Sequence, residues 1–249
     1  MQLPEGYAPL FVEGQATPIG AVGPGVFAVL RGLARERGDG LGFPAQGFQL
    51  ALDEAVSRLA AAGLCPPPRG EAIAVRAGRD GRDLARIDRA AAPPLGILVR
   101  KVCLNGLVPD DPPRIWLARR SEHQRTAPGL LDTTVAGGVP AGATEDETLR
   151  AEAWEEASLA PDRLAEATPV ARLDRTAPSP DGLVREDLLV WDLILRPDER
   201  PHPRDDEIDG FALWALPDLE AALVAPGGFK PGAAIVLRDG LGRWRRVGG

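Results

Sequence analysis

Residues 137–159 read GGVPAGATEDETLRAEAWEEASL, and this stretch decides the fold. The apolar run Thr133 to Ala136 leads into Gly137-Gly138, a tight loop returns through Gly142, and a helix is expected from Glu145 to Leu159. Thr144 followed by Glu147 matches a capping box at its start. Glu152, Glu155 and Glu156 stand at i, i+3 and i+4, so one helix face presents three carboxylates. On an isolated helix such a face is ordinarily solvated surface, because Glu is a good helix former. Here a glycine loop immediately precedes it. Glycines let backbone groups approach a ligand closely, and clustered hard oxygen donors are what Mg²⁺ or Mn²⁺ requires.

Working outward, β-type runs at Gly96 to Leu104 and Arg114 to Arg119 flank the turn-rich Pro109-Asp110-Asp111-Pro112-Pro113, so a sheet is expected upstream of the glycine loop. Downstream, Asp187 to Leu195 and Phe211 to Leu216 read as strands, and Leu219 to Val224 as a short helix. Ala233 to Leu237 with Arg243 to Val247 read as a closing hairpin. Ahead of the sheet, Ala8 to Val12 and Ala16 to Val22 suggest a hairpin. Gly25 to Arg37 suggests a helix capped by Gly38, and Leu52 to Ala62 a second helix stopped by Gly63. Strand-like segments at Glu71 to Arg76 and Leu84 to Asp88 follow, and Ala91-Ala92-Pro93-Pro94 is the natural joint between domains.

Composition limits the function classes. In 249 residues, 29 Lys+Arg against 36 Asp+Glu give a formal charge of −7, which lacks the broad positive field of a nucleic-acid binder. Neither nucleic acid nor a membrane is expected as a partner. The N-terminus has no basic and apolar leader pattern, no segment approaches a membrane span, and Cys65 and Cys103 cannot build a disulfide framework, so a reducing cytoplasm is expected. Lys101 and Lys230 are the only lysines, which reads as compositional bias toward arginine.

The glycine loop and acidic helix resemble the signature of the Nudix hydrolases, a Gly-initiated loop followed by a helix ending in R-E-x-x-E-E-x-G and an apolar residue. Glu152, Glu155 and Glu156 fall on the signature glutamates, Gly138 and Gly142 on its loop glycines, and Leu159 on the final apolar position. Ala151 stands at the Arg position, Ser158 at the Gly position and Ala143 at the loop Glu position. The segments Arg119 to Asp132, Cys103-Leu104-Asn105-Gly106, Val190 to Leu193, Asp206-Glu207-Ile208 and Phe229 to Gly232 are similar to one Nudix subgroup. In it a Nudix domain follows an N-terminal domain of uncharacterised type (DUF4743), and it includes the portion fused to thiamine pyrophosphokinase in fungi.

The resemblance implies an α/β protein: a small α+β domain over residues 1–93, then a Nudix α/β/α sandwich with a mixed sheet over residues 94–249. It implies a Mg²⁺ or Mn²⁺ site made by Glu152, Glu155, Glu156 and the backbone of Gly137, with the three glutamates as the catalytic set. The implied reaction is hydrolysis of a small-molecule diphosphate, with thiamine diphosphate or an oxidised form of it as the favoured substrate, giving the monophosphate and phosphate. Arg119 and Arg125 are candidates for holding the terminal phosphate, Trp191 for stacking on the organic part, and Glu207 for a distant carboxylate ligand or base. The plainer roles for these four are surface charge and core packing. Rival functions are a noncatalytic ligand-binding Nudix module and a Nudix enzyme acting on a nucleoside-diphosphate derivative or an isoprenyl diphosphate. The N-terminal domain is expected to shape the ligand pocket, its alternatives being a cap or a dimerisation unit, which makes a homodimer the candidate assembly.

Overall fold

A computed structural model describes residues 3–196 and 198–245. The chain divides into two compact units, one of residues 1–99 with 140–142 and 174–187, the other of residues 100–139, 143–173 and 188–249.

In the first unit, β1 (Ala8–Val12) and β2 (Gly20–Val22) form the expected antiparallel hairpin. Helix α1 (Pro24–Leu30) follows, with Pro24 at its first position, where the missing N–H costs nothing. The helix expected as far as Arg37 ends at Leu30 instead. Arg35–Arg37 form β3, which pairs antiparallel with β4 (Gly40–Phe43) across the two-residue turn Gly38-Asp39. Gly38, at φ 62°, is thus a hairpin turn residue and not a helix cap. β1 pairs parallel with β4, giving a mixed four-stranded sheet in the order β2-β1-β4-β3. Helix α2 (Phe48–Ala61) buries Phe48, Leu52, Ala55 and Leu59 on one face. β5 (Ala72–Arg76) and β6 (Asp83–Asp88) make a separate hairpin. The Pro93-Pro94 stretch is helical, in the short α3 (Ala92–Leu95), with Ala92, Pro94 and Leu95 buried. The 174–187 segment is tied in by charge: Arg79 bridges Asp187 (3.0 Å) and Asp174, and Arg185 donates to the Gly96 carbonyl at 3.1 Å.

The second unit holds most of a seven-stranded sheet. Its main path runs β11 (Thr168–Ser179), β12 (Gly182–Ile194), β7 (Leu98–Val108), β8 (Arg114–Arg120), β13 (Ile208–Ala215). The short β9 (Leu131–Asp132) pairs with β8, and β10 (Val135–Gly138) with β7. Alternation along the strands assigns the faces. On β8, Trp116 packs in the cluster around Leu149, Ala153 and Ala157 of α4 (Glu145–Ala157). Ile115 and Leu117 pack in the cluster of α5 (Leu216–Val224) and α6 (Pro231–Trp244). Helices therefore cover both faces of one sheet, the expected α/β/α sandwich.

One expectation for this unit fails, and one strand goes unmarked in the sequence. The closing hairpin is helix α6, in which Ala233, Val236, Leu237, Gly240 and Trp244 are buried at a helical period behind Pro231. The β-branched pair Ile235-Val236 suggests a strand, but burial at i, i+3, i+4, i+7 and i+11 prevails; Arg246 and Val247 lie outside the described residues. Strand β11 was not expected either, because its alternation leaves it mostly half-buried or exposed, with no apolar run to mark it.

Candidate active site

Strand β10 and the end of α4 form the floor and wall of the site. The turn leading into β10 is fixed by hydroxyls: Thr134 Oγ1 donates to the Trp116 carbonyl (2.6 Å) and accepts the Gly106 N–H (2.7 Å), while Thr133 Oγ1 donates to the Val135 carbonyl (2.9 Å). β10 then runs antiparallel to β7, Gly137 opposite Val102 and Gly138 opposite Lys101. Helix α4 starts at the expected capping box. The Thr144 hydroxyl accepts the Glu147 N–H, and the Glu147 carboxylate accepts the Thr144 N–H at 2.9 Å, which holds the Glu147 carboxyl below its ordinary range. Its C-cap is Ser158, left-handed at φ 55°, whose hydroxyl donates to the His202 carbonyl at 2.8 Å. A glycine would adopt that conformation without strain.

The three predicted glutamates are placed differently from one another. Glu156 lies on the buried face of α4, 3% exposed, and accepts the Ala136 N–H at 2.8 Å. Burial first, then the neighbouring Glu152 and Asp132 charges, push its carboxyl well above the ordinary carboxylate range. Glu152 is half-buried, with its carboxyl over Gly137: a Cβ built there would meet Glu152 Oε1 and Cδ at 2.0 Å. Gly137 is therefore a glycine because a glutamate occupies the space of its side chain. Glu155 is exposed, and its backbone carbonyl accepts the Arg204 N–H at 3.0 Å. Glu152 and Glu156 are thus brought together on β10, and Glu155 faces outward beside them.

Among the described residues, no three acidic, His or Cys side chains converge closely enough to hold an ion as they stand. The donor set nevertheless fits a hard divalent cation: two adjacent carboxylates, one of them destabilised as an anion by burial and by its neighbour, lie against a strand whose glycine admits one of them.

The remaining predicted residues have surroundings of their own. Arg119 is exposed and donates to the Gly129 carbonyl at 2.9 Å. Arg125 is exposed on the following loop. Trp191 packs partly buried against the α4-side core. Glu207 has an exposed side chain, and its carbonyl accepts the Ser121 N–H at 2.9 Å, which ties the segment before β13 to the end of β8. A separate cavity of about 220 Å³, lined by Trp116, Leu213 and Arg200 among others, lies toward the start of β8, and none of the predicted residues lines it.

Sequence reasoning missed a buried ionic group next to the glutamates. Asp132, 3% exposed, accepts from Lys230 Nζ at 2.6 Å, from the Arg120 guanidinium at 3.3 Å and from the Thr133 N–H at 2.9 Å. Two signals pointed to it: Lys230 is one of two lysines in an arginine-rich chain, and Asp132 closes the Leu130-Leu131-Asp132 run before β10.

Comparison with known proteins agrees with this architecture. The family model described as NUDIX domain matches residues 102–238. Nudix hydrolase 24, chloroplastic, of Arabidopsis thaliana is 30% identical over 194 residues, 78% of this chain and 53% of that protein. Nudix hydrolase 20, chloroplastic, of the same plant is 29% identical over 194 residues, 78% of this chain and 52% of that protein. The chain thus spans about half the length of the curated relatives it matches. The crystal structure of DR0079 from Deinococcus radiodurans superposes with a TM-score of 0.52 at 23% identity, over 68% of this chain and 98% of that one, a likeness of fold.

Proposed function

Because this chain belongs to the NUDIX domain family, we propose that it is a divalent-metal-dependent hydrolase of a diphosphate linkage, with Glu152 and Glu156 at the centre of its site. The observation that carries this reading is the convergence of those two glutamates on the β10 glycine strand, where Glu152 fills the space a side chain at Gly137 would need. Two neighbouring carboxylates would repel a diphosphate, each like-charge pair at about 5 Å costing on the order of 3 kcal/mol at an effective dielectric of 20. Nudix hydrolases generally use Mg²⁺ or Mn²⁺. Here Glu152, Glu155, Glu156 and the Gly137 backbone would hold the ion. When bound, the ion supplies charge neutralisation and Lewis acidity at the phosphate oxygens. The protein's own part is to orient: the Ala136 N–H fixes the Glu156 carboxyl, the Gly137 gap admits Glu152, and Arg119 and Arg125 would receive a terminal phosphate.

For the substrate we favour thiamine diphosphate or an oxidised form, cleaved to the monophosphate and phosphate. The support is the similarity of Arg119 to Asp132 and Phe229 to Gly232 to the subgroup associated with that chemistry. Residues 1–93 belong in this proposal as the N-terminal domain of the subgroup and residues 94–249 as the hydrolase domain, acting in a cytoplasmic setting that keeps the Cys65 and Cys103 thiols reduced. Among the described residues, no helix is long and apolar enough to cross a membrane. The test is phosphate release from thiamine diphosphate, its oxidised analogues, ADP-ribose, nucleotide sugars and nucleoside triphosphates, with and without Mg²⁺, compared by kcat/KM. A tenfold preference for a nucleotide over every thiamine compound overturns the substrate; no release from any diphosphate with Mg²⁺ or Mn²⁺ overturns the enzyme and leaves a ligand-binding module.

A further inference from the structure

The cavity of about 220 Å³ at the start of β8 lies well along the sheet from the glutamates. Gly137 stands opposite Val102 of β7, whereas the cavity residues Trp116 and Arg114 stand opposite Gly106 and Val108. Four to six strand residues, about 13 to 20 Å, therefore separate the two levels. Val108, Trp116 and Leu213 supply the apolar part of the lining. Trp116 and Leu213 are cross-strand partners, so their side chains share one face of the sheet. The Trp116 indole N–H is buried and has no acceptor, although buried donors are almost always paired.

The polar side of the cavity carries more cation than anion. Three guanidinium groups, Arg114, Arg196 and Arg200, meet two carboxylates, Asp110 and Glu199. Asp110 is taken by Arg114. Glu199 is taken by Arg163, which does not line the cavity and donates through Nε (2.5 Å) and Nη2 (2.9 Å). The Arg196 N–H adds a bond at 2.7 Å, and together these hold the Glu199 carboxyl below its ordinary value. The Arg196 guanidinium is left with Glu166 at 3.5 Å, an exposed pair of little strength. Among the described residues, no carboxylate pairs with Arg200. The protein's own bonds fix the wall that carries these arginines. Arg163 also donates to the Ile194 carbonyl at 3.1 Å, the His202 N–H to the Ala157 carbonyl at 3.2 Å and the Arg204 N–H to the Glu155 carbonyl at 3.0 Å. The chain is thus fastened before Arg196 and after Arg200, which lowers the ordering cost of binding.

We propose that this cavity is a second binding site, separate from the glutamate centre, for a small aromatic anion: one ring against Trp116 and Leu213, its phosphate or carboxylate on Arg196 and Arg200. A guanidinium fork pairs either acidic group through two parallel N–H bonds, and the ring gains contact with the indole. Volume limits the ligand. A cavity of about 150 Å³ holds benzene and sites for drug-sized ligands begin near about 300 Å³, so about 220 Å³ suits one substituted ring and not a nucleotide. The site needs no metal.

The experiment is calorimetric titration of the full chain in EDTA with phenyl phosphate, benzoate, inorganic phosphate and benzyl alcohol. It is run on the wild type, Arg200→Gln, Leu213→Trp and Glu152→Gln, with the melting temperature of each. At least one of the two aromatic anions should bind and raise the melting temperature, with inorganic phosphate and benzyl alcohol at least tenfold weaker. Arg200→Gln removes a charge that no carboxylate answers, so the fold survives and binding should weaken tenfold or more. Leu213→Trp fills the cavity and should abolish binding, while Glu152→Gln should stay within twofold of the wild type. The proposal is overturned if neither aromatic anion binds, if inorganic phosphate or benzyl alcohol binds equally well, or if Arg200→Gln binds undiminished. A tenfold change in Glu152→Gln would place the anion at the glutamate centre and overturns it too. If Leu213→Trp does not fold, Arg200→Gln decides.

Discussion

Replacing Gly137 by alanine should damage the site while sparing the fold. Gly137 is buried in β10, and its φ is not in the left-handed region, so the backbone accepts an alanine. The added Cβ would stand 2.0 Å from Glu152 Cδ and Oε1 and 2.3 Å from Cγ. Carbon contacts settle at about 3.5 to 4.0 Å, so the carboxyl must retreat by roughly 1.5 to 2 Å. The atoms in the way are the far end of a flexible side chain, and a rotamer change of Glu152 relieves the clash at a cost of about 1 kcal/mol. Glycine in a strand is itself less stable than alanine by roughly 0.5 to 1 kcal/mol, so the two effects nearly cancel and the melting temperature should move by only a few degrees. Activity should not be spared. A catalytic group displaced by more than 1 Å loses on the order of a hundredfold in rate. The assay is kcat on the best diphosphate substrate against Mg²⁺ concentration, beside thermal unfolding, for Gly137→Ala and Glu152→Gln. Wild-type kcat in Gly137→Ala at an unchanged melting temperature would show that the position of the Glu152 carboxyl does not matter, and the proposed centre would fall with it.

Glu156→Gln and Glu152→Gln should each lower kcat by a hundredfold or more. Glu147→Gln, whose carboxylate only closes the capping box, should lower the melting temperature slightly and leave kcat within twofold; equal activity across the three would return the helix to a solvated surface role. Because the folded state raises the Glu156 carboxyl, the folded protein holds that proton more tightly than the unfolded chain. The metal-free stability it contributes is full below the unfolded carboxylate range and is lost as pH rises through the raised folded value. Melting temperature should fall over that window in the wild type, and the slope should flatten in Glu156→Gln; an identical slope in the two refutes the assignment. Gly240→Ala should destabilise by about 1 to 3 kcal/mol, because its Cβ would meet the ring of Trp244, fully buried with its indole N–H on Asp192, at 2.0 to 2.4 Å. A chemical denaturation midpoint equal to that of the wild type would refute it.

What could be read without the structure was local. The capping box at Thr144 and Glu147, the one-face spacing of Glu152 and Glu156, the glycines before them and the apolar period of α2 are patterns within a few residues, set by helix and turn geometry. Tertiary packing decided the rest. It turned Arg35–Arg37 from the tail of a helix into an edge strand, because β4 offered a partner across a two-residue turn. It made Pro231–Trp244 a helix, because one sheet face needed a cover. It also sorted three equivalent glutamates into one buried, one half-buried and one exposed, a distinction absent from their spacing and created by the strand beneath them. The buried ion pair shows the limit most plainly: Lys230 meets Asp132 across a separation of 98 residues. Short-range periodicity records which way a side chain points along its own element, but the charge it meets there comes from a distant part of the chain, and only the folded arrangement fixes that.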